Sequence, residues 1–246
     1  MANWQDPQTT GVSAATVGVP RAARDAGLRS YMLSVYNYMA SGVLLTGIIA
    51  LLFAPYAGQV LISASGRGMS PLGWIVTLSP LAIVFAMSFG AARMRTATLQ
   101  LLFWAFAALM GLSMSTIFLV FTGASIAQTF FATAAAYLGL SLYGYTTKRD
   151  LSGFGTFLIM GVVGILVAML VNLFLQSTAM ALMISVIGVL LFAGLTAYDT
   201  QRIKSMYFYV QGTEMAGKTV IMGALTLYLD FINMFQFLLS FMGNRR

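Results

Sequence analysis

MALMISVIGVLLFAGLTAY, residues 180–198, is a run without a charge that ends against Asp199. At about 1.5 Å per residue, a helix of this length crosses most of a hydrocarbon core about 30 Å thick. Six more runs of the same kind lie at Tyr31–Phe53, Gly73–Ala92, Thr98–Phe121, Ile126–Tyr145, Phe154–Phe174 and Thr219–Met242. Working outward from them, the separators are short. Ala54–Leu72 carries Pro55, Gly58, Gly66, Gly68 and Pro71, and Thr122–Ser125 and Leu175–Ala179 are uncharged turns. Thr146–Gly153 holds Lys148, Arg149 and Asp150, and Asp199–Lys218 is moderately polar. The pattern predicts an all-α polytopic membrane protein with seven transmembrane helices over residues 31–246. Residues 1–30 are polar and read as a disordered cytoplasmic tail. They are not a cleavable leader, because the span after Arg21, Arg24 and Arg29 is too long for one.

Composition agrees. Of 246 residues, 59% are hydrophobic and 8% charged, with a net charge of +7. A soluble domain carries roughly 25% charged residues and could not cover its surface with so few. There is no His and no Cys. That excludes Ser-His triads, cysteine nucleophiles, imidazole or thiolate zinc sites and disulfides, and the reading is of a protein that is not an enzyme and has no resident cofactor. The basic residues cluster at the ends of apolar runs, so they indicate a lipid bilayer and not nucleic acid.

With the N-terminus inside, 10 of the 13 basic residues face inward and Arg67, Arg245 and Arg246 face outward. This positive-inside bias predicts a cytoplasmic N-terminus in a plasma membrane. Seven full crossings place the C-terminus outside. A re-entrant last segment is the competing topology, since it returns the terminal Arg pair to the inner side. Gly42 and Gly47, Gly139 and Gly144, Gly161 and Gly164, and Gly188 and Gly194 read as close helix contacts. Asn37, Asn172 and Gln128 read as interhelical hydrogen-bonding residues.

Of the six acids, Asp6, Asp25, Asp150 and Glu214 fall in the tail or loops. Asp199 ends the sixth run and Asp230 stands near the middle of the seventh. A carboxylate at bilayer depth costs at least about 2.5–3.5 kcal/mol, so it is kept for a partner or a pathway. Thr226, Asn233 and Gln236 share the face of Asp230 at helical spacing. The two acids lie on consecutive antiparallel spans and can meet inside the bundle, provided the sixth span continues past Asp199. Contact between two ionised carboxylates in a low-dielectric bundle is repulsive, so such a pair is expected to hold one proton between them.

The segments Ala197-Tyr-Asp-Thr-Gln-Arg-Ile-Lys204 and Ala224-Leu-Thr-Leu-Tyr-Leu-Asp-Phe-Ile-Asn233 resemble the Bax inhibitor-1, or transmembrane Bax inhibitor motif, family. The loop Lys148-Arg149-Asp150 followed by Leu151-Ser152 is similar to its bacterial branch. The resemblance implies two three-helix layers around a central last helix. It implies a pH-sensitive calcium leak in a bacterial inner membrane, with calcium as the permeant ion bound transiently by Asp199 and Asp230. Those aspartates match the family's pH-sensing pair, flanked by Tyr198 and Asn233, and Arg93 matches a basic latch, with Arg95 two residues away. Two other functions compete. One is a regulator that binds and restrains a membrane protease or channel, for which the polar tail could serve. The other is an intramembrane aspartyl protease, although Tyr-Leu-Asp-Phe lacks the glycines that admit an extended substrate.

Overall fold

The computed structural model describes residues 21–63 and 68–246. They form eight helices: α1 (Arg21–Leu61), α2 (Pro71–Gly90), α3 (Thr96–Met114), the single turn α4 (Ile117–Val120), α5 (Gly123–Thr146), α6 (Ser152–Leu175), α7 (Thr178–Val210) and α8 (Met215–Met242). They make seven segments long and apolar enough to cross a membrane, with α3 and α4 together making one crossing.

Local chemistry sets the corners. Ser70 opens α2: its hydroxyl accepts from Gly73 N at 2.9 Å and donates to Val60 O at 2.7 Å, with Pro71 at the first helical position, where its missing N–H costs nothing. Thr122 and Ser177 cap α5 and α7 in the same way. Asn172 serves the α6–α7 corner, accepting from Ser177 N at 3.0 Å, and does not bridge distant helices. Asn37 and Gln128 are exposed, so neither is the interhelical contact expected of it.

Three boundaries differ from expectation, the first being that α1 continues past Phe53 through Pro55 to Leu61. The stretch 21–30, expected in the disordered tail, is the first part of α1, so Asp25 is helical; residues 1–20 of that tail lie outside the described residues. In addition, α7 does not stop at Tyr198 but continues to Val210. These extensions are polar-to-mixed sequence appended to an apolar helix. Backbone hydrogen bonding continues at little cost once the helix is nucleated, whereas hydropathy reports only the part within lipid.

The packing places α8 at the centre. It touches α1, α3, α5 and α7, while α1–α3 pack together on one side and α5–α7 on the other. In its most apolar stretch 67% of the residues are buried, against 11–33% for the other six crossings. This is the layered arrangement implied by the resemblance. The outermost helices show why it needs a bilayer: α6 exposes Phe157, Met160, Val163, Leu166, Leu170 and Leu173, an apolar face that water would not tolerate.

The last helix crosses fully. At its start, Lys218 Nζ donates to Ala92 O in the α2–α3 turn; beyond its end, Asn244 N donates to Ser125 Oγ at the start of α5. Those partners lie at opposite ends of the bundle, which removes the re-entrant topology. The end carrying Arg93, Arg95, Lys148, Arg149 and Lys218 is called the basic end below.

Candidate functional site

Because α7 runs on past Tyr198, Asp199 lies inside a helix, 11 residues before Val210, and Asp230 lies 15 residues after Met215. Measured from the shared basic end, these offsets are about 16 and 22 Å at helical rise. The two side chains meet between α7 and α8. Asp199 is 7% exposed and Asp230 4%, and their carboxyls come within reach of a mutual hydrogen bond. Such a bond contains one proton, since an ionised carboxylate only accepts. Apart from that contact, Asp230 Oδ2 is buried with no donor among the described residues.

The neighbours of the pair come from other helices and not from α8 itself. Tyr36 Oη of α1 lies 2.6 Å from Ser141 Oγ of α5, which lies 3.1 Å from Thr200 Oγ1 of α7. These three hydroxyls tie three helices together beside the acids. Tyr137 of α5 stands edge-on to Phe231, with ring centroids 5.5 Å apart; its hydroxyl is buried without a partner among the described residues, in the electrostatic field of Asp230, Tyr36 and Asp199.

The polar residues expected around Asp230 are satisfied elsewhere. Thr226 donates to Met222 O at 3.1 Å and Asn233 to Leu229 O at 2.8 Å, both within α8, and Gln236 is exposed. Tyr198 turns toward α6, where a methyl group added at Gly155 would strike its ring. Neither Tyr198 nor Asn233 therefore supports the pair directly. The signal that finds Tyr137 and Ser141 is a period: Ser125, Thr129, Thr133, Tyr137 and Ser141 recur every four residues on α5, and all five are buried.

The rest of the Asp199 motif builds the basic end. Gln201 clamps the α5–α6 loop, accepting from Leu151 N and donating to Arg149 O, both at 2.8 Å. Lys204 Nζ donates to Tyr145 O at 2.6 Å in the last turn of α5, where the helix carbonyls favour a cation, and lies 4.8 Å from the Tyr145 ring centroid. The basic residue whose charge acts on Asp199 is Arg202, on the same helix. Arg93, expected as the latch, lies in the turn after α2 with an exposed side chain, as does Arg95, and no ion pair joins either to Asp199 among the described residues. The expectation drew on the common end of the bundle, which α2 does share; the turn Ala91–Arg95 carries the side chain out to the surface.

A second buried junction holds another face of α8. Thr46 Oγ1 of α1 donates to Ala107 O of α3 at 2.8 Å and so accepts from Tyr228 Oη at 2.6 Å. Tyr228 is fully buried, edge-on to Phe103 and Phe106.

The fold and this site define a seven-helix membrane protein whose acidic last helix lies at the centre of the bundle. The family described as "Inhibitor of apoptosis-promoting Bax1" matches residues 28–246. The inner membrane protein YbhL of Escherichia coli (strain K12) is 46% identical over 223 residues, covering 90% of this chain and 94% of YbhL. An uncharacterized protein of Rickettsia prowazekii is 47% identical over 223 residues, covering 90% of this chain and 92% of its own length. A membrane protein of Streptococcus pyogenes is 36% identical over 220 residues, covering 89% and 94%. The chain belongs to the Bax inhibitor-1 family.

Proposed function

We propose that the protein is a pH-sensitive calcium leak of a bacterial inner membrane, with its basic end in the cytoplasm and Asp199 and Asp230 as the proton-operated element. The observation that supports this reading is the close approach of the two buried carboxyls across the α7–α8 interface. With one proton held, the bond ties α7 to α8. With none, two negative charges face each other in a low-dielectric interior and require either separation or a cation. Proton occupancy is thereby coupled to helix position.

Calcium suits the donor type, since it takes oxygen ligands, usually six to eight. No cluster of three or more acidic, His or Cys ligands exists among the described residues, so water and carbonyl oxygens complete its shell. Two carboxylates favour transient passage over storage. A proteolytic role finds little support, because Asp230 sits in a continuous helix between Leu227, Tyr228 and Phe231, all buried, without the flanking glycines that admit an extended substrate backbone.

The test is calcium flux into proteoliposomes over a range of pH. Asp199→Asn and Asp230→Asn each flatten the pH profile, and the double variant adds little to either. Additive single effects, or single variants with the wild-type profile, refute the shared proton.

A further inference from the structure

The helices α1 and α5 both pack on α8 but leave a gap between themselves. A cavity of 770 Å³ fills that gap from Arg29 to Leu44 on α1, and a second of 360 Å³ continues it to Leu51. The two share Val43, Leu44, Phe130 and Phe231, so they form one groove with α8 as its floor. From Arg29 to Leu51 it runs about 33 Å along α1 at helical rise, the thickness of the hydrocarbon core.

Its chemistry restricts the occupant. Met32, Met39, Val43, Ala134, Leu138 and Phe231 are typical of the walls, and Arg29 is the one charged lining residue. The hydroxyls of Tyr36 and Ser141 are occupied by each other. Water needs two to four polar partners and does not find them along such walls. A transmembrane helix is too thick: at a diameter of about 10–12 Å, a stretch matching the first cavity needs roughly 2,000 Å³. An extended hydrocarbon chain is thin enough.

The mouth supplies the complementary charge. Arg29 is exposed and makes no hydrogen bond or ion pair among the described residues, Asp25 one turn away included. Tyr145, at the same mouth, has Lys204 Nζ 4.8 Å from its ring centroid. An anion at this end meets the free guanidinium of Arg29 at the level where lipid headgroups lie, with the Lys204 charge behind the Tyr145 ring.

We propose that the α1–α5 groove is a phospholipid site, with one acyl chain lying on Phe231 and Tyr137 and the phosphate on Arg29. The chain then covers the bilayer-side approach to the neighbouring Asp230. This does not depend on the protein passing calcium.

Native mass spectrometry of the full protein in mild detergent, with phosphatidylglycerol and phosphatidylcholine offered in equal amount, provides the test. The wild type retains one phospholipid per chain, with phosphatidylglycerol in excess. Ala134→Trp, which fills the groove, loses it, while Val167→Trp on the outer face of α6 keeps it. Arg29→Ala cuts the preference for phosphatidylglycerol several-fold. A photoactivatable phospholipid on the wild-type protein gives a reading that needs no variant: labelling saturates at one per chain and falls within residues 29–44 and 130–145. Absence of retained lipid, equal retention by both Trp variants, or labelling spread evenly over the lipid-facing helices overturns the site and leaves annular lipid only.

Discussion

Gly144 and Gly139 lie on the same helix, five residues apart, and should respond to alanine with opposite signs. At Gly139 nothing lies within 4 Å of an added methyl group. At Gly144 the methyl would overlap the backbone carbonyl oxygen of Ala197, together with the carbonyl carbon and Cα of that residue. The obstacle is backbone and cannot rotate aside, so α5 must move away from α7. Overpacking of this kind costs about 1–3 kcal/mol. Both substitutions share the gain from replacing a helical glycine, about 0.8–1 kcal/mol, so that contribution cancels in their difference. Gly139→Ala is therefore neutral or stabilising, and Gly144→Ala is less stable than it by about 1–3 kcal/mol. The strain falls two residues from Asp199 and one turn from Ser141, whose 3.1 Å bond to Thr200 spans the same interface. Unfolding of both variants in one detergent, followed by tryptophan fluorescence, measures the difference. Equal stability of the two would show that α5 and α7 do not approach at Ala197 and would remove the basis for the neighbouring hydroxyl chain.

Other outcomes follow from single contacts. Tyr228→Phe leaves Thr46 paired to Ala107 O but deletes one buried interhelical bond, costing about 0.6–1.5 kcal/mol in the same unfolding assay. Arg202→Ala shifts the midpoint of the pH–flux profile by a few tenths of a pH unit, an effect that fades in high salt, whereas Arg93→Ala leaves it unmoved; the reverse ranking restores Arg93 as the latch. Asp150 Oδ1 accepts from Ser152 N at 2.9 Å, and this bond holds its exposed carboxyl below the usual aspartate range. Its contribution is thus complete above the unfolded value and is lost only as pH falls through the lower folded one. The Ser152 amide signal in micelles should accordingly show little titration at about pH 3.9, the ordinary aspartate midpoint. Single cysteines at 149 and 246, introduced into a chain that has none, should label from opposite sides of the membrane.

The number and placement of the crossings were legible in the sequence, because a bilayer demands about twenty apolar residues per helix regardless of what packs against it. That Asp230 would be buried beside a partner was legible for the same reason: a carboxylate at that depth needs one. Helix ends were not legible where they leave lipid. Hydropathy stops at Tyr198, but the backbone of α7 continues to Val210, and only that continuation brings Asp199 beside Asp230. Tertiary structure also decided the company the acids keep. Thr226 and Asn233 share a helix with Asp230 but turn back to their own backbone, whereas Tyr36, Tyr137 and Ser141, distant in sequence, surround the site. Spacing along one helix shows which residues share a face. Which helix covers that face depends on the packing of all seven, and the same packing turned Arg93 outward and opened the groove between α1 and α5.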